Sequence, residues 1–311
     1  NEHIKKIIRL MIPRTMGIAV NQINLLVITI FASTLASGSL AVFNFANNIQ
    51  SFPLGIFGVS FAVAVFPTLS AYASKGMNDK FVENFSKTFR RIIFFIIPLS
   101  IFILLLRAQL VRVILGSGQF NWEDTVLTFE TLGFLTVSLF AQCLIPLLAR
   151  AFYAIHNTKI PFYVALVSEA VNIILVILLI KNYAVSGLAI AFSTASILNM
   201  ALLFAILRKK IGYLDEKKIL SSVFKVLLAA TIAGMVTQIL KYSISFFTNI
   251  DTFLGIFAQL VISGGVGIVI FLMMSYLLKI EEFFHFKNSI SKKLFRTREQ
   301  INEITEETDG M

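Results

Sequence analysis

The chain has 311 residues, of which 57% are hydrophobic and only 14% charged, with 31 Phe and a mean hydropathy of +0.83. Soluble domains carry roughly 25% charged residues, so this composition excludes an ordinary soluble enzyme, a disordered tail and a nucleic-acid-binding domain. The fold class it leaves is an all-α polytopic membrane protein, here with a formal net charge of +10.

A bilayer core needs about 20 apolar residues at about 1.5 Å each. Runs of that kind fall at 16–36, 39–72, 89–106, 125–149, 161–180, 185–207, 219–243 and 253–278, which predicts eight transmembrane helices. Stretches such as Ile173–Ile180 are continuously apolar, unlike the alternating strands of a membrane barrel. Backbone groups in lipid must be satisfied internally, so these runs are read as helices. The second run is too long for one straight crossing. Pro53 near its middle removes a backbone donor and predicts a kink, and Phe66-Pro67-Thr68-Leu69-Ser70 is expected to emerge from the membrane. Pro98 and Pro146 predict bends in the third and fourth spans. Pro161 sits at the start of the fifth, where proline is tolerated.

Lys and Arg are distributed unevenly between the connections. One side takes Lys5, Lys6, Arg9 and Arg14, then Lys75, Lys80, Lys87, Arg90 and Arg91, then Arg150 and Lys159. It also takes Arg208 to Lys210, Lys217 and Lys218, and the tail from Lys279 to Arg298. The other side holds only Arg107, Arg112, Lys181 and Lys241, while Lys225 lies just inside the seventh span and can snorkel. The excess predicts that both termini are cytoplasmic, and it explains the net charge without an acidic partner. In the tail, Phe283, Phe284, Phe286 and Ile290 are expected at the membrane surface beside Lys292 and Lys293. From Glu299 the tail turns acidic and is expected to be disordered.

Polar groups in hydrocarbon are costly and each needs a reason. On the first span Arg14, Gly17, Asn21 and Asn24 share one helical face; on the second, Asn44, Asn47, Asn48 and Ser51 do the same. The fifth carries Glu169 and Asn172 at i and i+3, the sixth Ser193, Thr194, Ser196 and Asn199, and the fourth Glu130 and Gln142. Two readings stand side by side. Amides and hydroxyls can be interhelical glue, the favoured role for Gln142, Ser196 and Asn199, or they can wall a polar cavity, which the three amides beside Pro53 would suit. Glu169 is read as a proton or cation site with Asn172 as neighbour. Arg14 and Arg150, near the same side of the membrane, are either topology anchors or phosphate-binding forks. Gly264, Gly265 and Gly267 in the eighth span are expected to permit close helix packing.

No machinery for catalysis is visible. There is no Gly-rich phosphate loop, no paired carboxylates within the spans, and no plausible Ser-His-Asp set, since His3, His156 and His285 all lie outside the spans. Those histidines are too far apart in sequence for metal-ligand spacing, and the lone Cys143 forms no intrachain disulfide. The chain is therefore read as no enzyme, with no cofactor and no nucleic-acid partner. Transport by rocking of helices around a midplane cavity fits better than a channel.

Several stretches, in order, resemble a known family: Ile12-Pro13-Arg14-Thr15, Leu35-Ala36-Ser37-Gly38-Ser39, Asn44-Phe45-Ala46-Asn47-Asn48-Ile49-Gln50, and Phe52-Pro53-Leu54-Gly55 through Phe66-Pro67-Thr68-Leu69-Ser70. Further on come Ala149-Arg150-Ala151-Phe152-Tyr153-Ala154, Thr158-Lys159-Ile160-Pro161, Val171-Asn172-Ile173 and Gly187-Leu188-Ala189. Together they resemble the C-terminal part of the MurJ (MviN) lipid II flippases, within the superfamily of the MATE exporters and oligosaccharide-lipid flippases. The resemblance implies two pseudo-symmetric helical lobes followed by two extra helices. Residues 1–210 would be the second lobe, 211–280 the extra pair with a groove for a lipid tail, and 281–311 the cytoplasmic tail. The first residue, Asn1 rather than Met, is read as the mark of a fragment whose N-terminal lobe is missing.

The resemblance also implies an activity: moving the undecaprenyl-linked peptidoglycan precursor, lipid II, from the inner to the outer leaflet of the bacterial cytoplasmic membrane. Arg14, Asn21, Asn44, Asn47, Asn48 and Arg150 would meet its head group, and membrane lipids would flank it. Many family members carry Arg at the position of Asn48, so a phosphate contact is replaced here by a neutral amide. The driving force would be sodium, a proton or the membrane potential, with Asn24, Glu169, Asn172 and Thr194 as the candidate cation or proton site. The alternatives are a cation-coupled multidrug or oligosaccharide-lipid exporter of the same fold, and a non-transporting scaffold for cell-wall enzymes.

Overall fold

The structure, a computed structural model, describes residues 22–116, 122–246 and 252–288, and all regular structure among them is helical. α1 (Gln22–Ser33) leads through Gly38, at φ 91°, into α2 (Ser39–Pro53). Pro53 offers no N–H, and the hydrogen-bond ladder widens directly behind it into a π-helical turn, Leu54–Val59. Ser60 Oγ donates to Gly55 O, 3.0 Å away and five residues back, which satisfies a carbonyl freed by the wide turn. The predicted disturbance at Pro53 therefore takes the form of a π-turn, and α3 (Ser60–Ser74) continues beyond it and runs through Pro67. Glycine is required at position 58: an added Cβ would lie 2.9 Å from Cys143 Cα, where α6 crosses the turn.

α4 (Asn78–Leu115) is the most enclosed of the long helices and runs through Pro98. Phe85, Ile92, Ile96 and Leu106 are buried along it, and Phe95 stacks on Phe57 of the π-turn with ring centres 4.9 Å apart. α5 (Trp122–Val137) and α6 (Leu139–Ala154) meet at a 44° bend. The bend lies at Ser138, not at Pro146 as the sequence suggested; Pro146 is accommodated inside α6. Ser138 leaves the helical ladder (ψ 1°) while its hydroxyl takes a place in a polar chain between helices, so a side-chain network fixes the break.

α7 (Lys159–Ile211) is interrupted at Ala184, whose φ of 45° and ψ of −126° are non-helical. The break divides it into arms 159–183 and 185–211, each about 40 Å long at 1.5 Å per residue. The arms fold back tightly: a Cβ on Gly187 would stand 2.9 Å from the Leu179 carbonyl oxygen. α8 (Glu216–Ser245) and α9 (Phe253–Leu277) pack on each other and on α4. Gly267 makes that approach possible, since a side chain there would strike Thr237 of α8 and Phe102 of α4. Gly265, by contrast, faces open space, so close packing accounts for one end of the glycine run and not the whole of it.

Among the described residues five helical segments are long and apolar enough to cross a membrane: 39–74, α4, α7, α8 and α9. The bent α5–α6 pair makes a sixth. A short helix, α10 (281–288), follows α9 and is tied back onto the bundle. Buried Arg90 of α4 pairs with Glu281 at 2.8 Å and with buried Glu282, and Ser222 of α8 donates to Glu282 Oε2 at 3.2 Å.

Candidate functional site

A cavity of about 370 Å³ opens between α1, the π-turn, α6 and both arms of α7. Its size falls in the range of small-molecule sites. The sequence places polar residues around it by helical spacing. Ser168 and Glu169 come from the first arm of α7, while Phe192, Ala195, Ser196 and Asn199, at i, i+3, i+4 and i+7, form one face of the second arm.

Among the described residues, Glu169 is the only ionisable one lining this cavity. Asn24 of α1 donates Nδ2–H to Glu169 Oε2 at 2.8 Å, and Asn172, one turn along α7, donates to Oε1 at 3.3 Å. Asn24 and Asn172 are buried, and Glu169 is half-buried at the cavity wall. Each carboxylate oxygen thus has its own amide donor. Around this group lie unsatisfied oxygens: Asn172 Oδ1, Ser168 Oγ and Asn199 Oδ1 are buried without a hydrogen-bond partner. Buried polar atoms of this kind are normally satisfied by protein, ordered water or an ion. These three are all oxygen, the ligand type that hard cations take. Among the described residues no cluster of three His, Cys, Asp or Glu side chains could hold a metal ion.

Thr194 does not join this group. It is exposed, and its hydroxyl donates to Ile190 O of its own helix at 2.8 Å. At about 100° per residue it stands some 200° from Phe192 and Ser196, on the opposite face from the cavity. Ser196 and Asn199 are on the cavity wall rather than between helices; Ser196 Oγ bonds back to Phe192 O of its own helix. Gln142 lines the same cavity and also acts between helices. It accepts from buried Gln50 Nε2 at 3.0 Å and donates to Ser138 Oγ at 2.8 Å, and Ser138 continues to Ser193 Oγ at 3.0 Å. The sequence reading gives no role to Ser168 and none to Gln50 beyond the family stretch that contains it. Gln50 follows Asn47 at i+3, a spacing that was available as a signal.

The asparagine stripe of α2 divides. Asn44 and Asn48 are exposed, while Asn47 is half-buried and receives Gln50 Nε2 at 3.5 Å. Below them Phe52 is 72% exposed, and Ile56 and Val63 are exposed further along. These amides do not line the Glu169 cavity; among the described residues they head an open surface along α2 and α3. Arg150, half-buried near the end of α6, donates to Pro146 O at 3.3 Å and does not line the cavity. Arg14 and Asn21 lie outside the described residues.

Comparison with known proteins fits this architecture. A family model described as "Lipid II flippase MurJ" matches residues 1–263. A probable lipid II flippase MurJ of Thermotoga maritima is 33% identical over 274 residues, 88% of this chain and 53% of that protein. Its counterpart in Bdellovibrio bacteriovorus is 31% identical over 241 residues, 78% of this chain and 46% of that protein. The chain thus spans about half the length of the curated relatives it matches. Among solved structures, one described as "Lipid II flippase MurJ, inward closed conformation" superposes with a TM-score of 0.71 at 25% identity, over 89% of this chain and 55% of that one. An outward-facing multidrug resistance MATE family transporter of the MOP superfamily, at 16% identity and a TM-score of 0.57, shares the fold; it covers 88% of this chain and 63% of its own. Matched by that family's model over residues 1–263, this chain of apolar helices belongs to the lipid II flippase MurJ family.

Proposed function

We propose that this chain supplies the second helical lobe and the two additional helices of a flippase. That flippase carries the head group of lipid II from the inner to the outer leaflet of the bacterial cytoplasmic membrane by alternating access. In this reading the break at Ala184 separates two crossings and the described helix α1 belongs to a longer one, which gives eight spans with both termini cytoplasmic. Residues 1–210 form the lobe, 211–280 the pair beside which the lipid tail travels, and 281–311 the tail of the chain. No covalent chemistry is involved, so the chain is not an enzyme.

The observation that carries the reading is the uncovered face of α2 and α3, headed by Asn44 and Asn48. A lobe that works alone would have little use for amides beside an open apolar stripe. A lobe that closes a central cavity against a partner lobe would present such a face, with amides for a sugar–peptide head. Arg14 and Arg150 would attract the pyrophosphate, with Asn21 and Asn47 beside them. Asn48 in place of an arginine shifts that electrostatic role onto Arg14.

Coupling to a cation or proton is part of the same proposal. Asn172 Oδ1, buried and without a donor, marks a place the residues present fit. Asn24, Glu169 and Asn172 would hold sodium or a proton there, since rotation of either amide by half a turn offers its oxygen in place of its nitrogen. A bound cation would neutralise Glu169 and loosen its hold on α1.

The gene encoding this chain, expressed in cells depleted of their own lipid II flippase, is expected to restore growth, and Arg14→Ala or the pair Asn44→Leu/Asn48→Leu to abolish the rescue at equal expression. Full rescue by those variants would overturn the assignment of the open face. The same fold is compatible with a cation-coupled multidrug exporter. Protection of the purified protein by cationic dyes but not by lipid II would favour that reading, and rescue by every polar-face variant would favour a scaffold.

A further inference from the structure

A second pocket, of about 240 Å³, lies at the basic end of the bundle, away from the Glu169 cavity, where α4, α8 and the α9–α10 corner meet. Its lining includes Lys217, Lys218, Ser221 and Lys225 of α8, Lys279 of the corner and Arg90 of α4. Lys217, Ser221 and Lys225 repeat at i, i+4 and i+8, so one face of α8 delivers two ammonium groups and a hydroxyl to the same wall. Lys279 completes the ring from an unusual backbone position. Its φ is 50°, and Ile280 N–H bonds to Ser275 O in the pattern that closes a helix through a left-handed residue, a place usually taken by glycine. A lysine held there puts a charge at the corner where glycine would leave none.

Five cationic residues face two carboxylates in this pocket, and the carboxylates are already engaged. Glu281 and Glu282 also line it, paired with Arg90, with Ser222 on Glu282. Lys218 has a long contact of 3.9 Å to Asp215; no ion pair within 4.0 Å is formed by Lys217, Lys225 or Lys279 among the described residues. Arg90 Nε is buried without a hydrogen-bond partner. Topology alone would scatter lysines around this end of the bundle, and it does so at Lys75, Lys209 and Lys210, which are exposed and line none of the cavities described. It does not require three of them to converge on one recess beside a buried guanidinium.

We propose that this pocket binds the phosphate of an anionic glycerophospholipid head group, with Lys217, Lys225 and Lys279 as the phosphate ligands and Ser221 as a hydroxyl donor. Compact ammonium groups suit a phosphate approached from several directions. Basic pockets between helices at the membrane surface are the usual place for such head groups. The occupant would wedge α8 against the α9–α10 corner. This inference does not depend on which head group the bundle transports.

The test is native mass spectrometry of the full chain in detergent with phosphatidylglycerol or phosphatidylcholine of identical acyl chains. The wild type is expected to retain phosphatidylglycerol about tenfold more strongly. K217Q/K225Q/K279Q is expected to lose that preference while keeping its circular dichroism and melting midpoint. K75Q/K209Q/K210Q, with the same change in charge, is expected to keep it. Equal retention of the two lipids by the wild type, or equal loss of preference in both triple variants, would overturn the site. Inorganic phosphate at constant ionic strength separates the sources of the phosphate. A preference that survives it supports a lipid, and one abolished by it, with phosphate bound to lipid-free protein, would overturn the lipid assignment in favour of a soluble phosphate compound.

Discussion

Asn24 of α1 and Glu169 of α7, 145 residues apart in the chain, are joined by a 2.8 Å hydrogen bond at the wall of the 370 Å³ cavity. The bond links the first described helix to the helix that breaks at Ala184, through a carboxylate that also receives Asn172. Interhelical hydrogen bonds in membranes contribute about 0.6–2 kcal/mol. Asn24→Ala is therefore expected to lower stability by about 1 kcal/mol, read as a modest fall in the melting midpoint of the purified protein. Glu169→Gln keeps the shape and removes the charge. It should leave the midpoint within a few degrees and reduce flippase rescue at least about tenfold if a cation or proton couples transport. Undiminished rescue by Glu169→Gln would remove this residue from coupling and leave it a structural role.

A different kind of dependence holds between Gln50 and Gln142, both buried, whose side chains bond at 3.0 Å. Removing one partner strands the other's buried amide without its bond, a penalty of about 1–3 kcal/mol. Gln142→Leu is expected to destabilise by that amount, because it also deprives Ser138 of a donor. Gln50→Leu/Gln142→Leu should cost less than the sum of the single changes, since both stranded amides are gone. A double-mutant cycle by thermal unfolding measures the coupling, and strict additivity would show that the pair contributes nothing jointly.

What could be read from the sequence follows from where each signal is local. The hydrophobic runs fixed the positions of the long helices, because a stretch of apolar residues needs no partner to be recognised. Glu169 and Asn172 were legible as a pair because i and i+3 share a face in any helix. Asn24 could be grouped with them through the resemblance, but its bond to Glu169 depends on packing of α1 against α7, which no local pattern encodes. Thr194 was misplaced for the same reason. Residues 192 to 199 carry polar groups all round the helix, and only the packed bundle selects the face of Phe192, Ser196 and Asn199. The bend in the fourth span was assigned to Pro146, the residue with a covalent reason to break a ladder. The break lies at Ser138 because a chain from Gln50 to Ser193 draws its hydroxyl out of the helical register. The cationic recess was hidden by its own abundance, since lysines on that side are already explained by topology.

The tie between α4 and α10 gives a pH dependence with a definite sign. The Arg90 guanidinium donates to Glu281 and holds its carboxyl below the ordinary carboxylate range. A group whose folded pKa is depressed contributes stability above its unfolded value, near 4.3, and that contribution is lost as pH falls through the folded value. The Glu281 side chain is 67% exposed, so solvent screens the pair and its contribution to global stability is small. The effect is expected locally. The protection factors of residues 281–288, each exchange rate divided into its intrinsic rate at that pH, should be unchanged from pH 8 to about 5 and should fall below about pH 4.3. Arg90→Gln should give low protection at every pH. High protection that is independent of pH in this variant would show that α10 is held by its phenylalanines instead.

Ala184 offers a prediction of the opposite sign, a stabilising change. With φ 45° and ψ −126° it occupies a region that an L-residue enters only at a cost of about 1–3 kcal/mol and that glycine enters freely. The strain is sustained because the two arms of α7 must reverse within a residue or two, with Gly187 packed against the Leu179 carbonyl. Ala184→Gly relieves it and removes only one methyl group, already exposed at the end of the bundle. Against this stands the greater freedom of glycine in the unfolded chain, about 0.5–1 kcal/mol. The balance is a gain of about 1 kcal/mol, read as a higher melting midpoint. Ala184→Val should lower the midpoint by more than that, because a β-branched side chain tolerates positive φ least. If both substitutions shifted the midpoint in the same direction, the reversal at residue 184 would not be the strained element described here, and the two arms of α7 would have to be joined by a different turn.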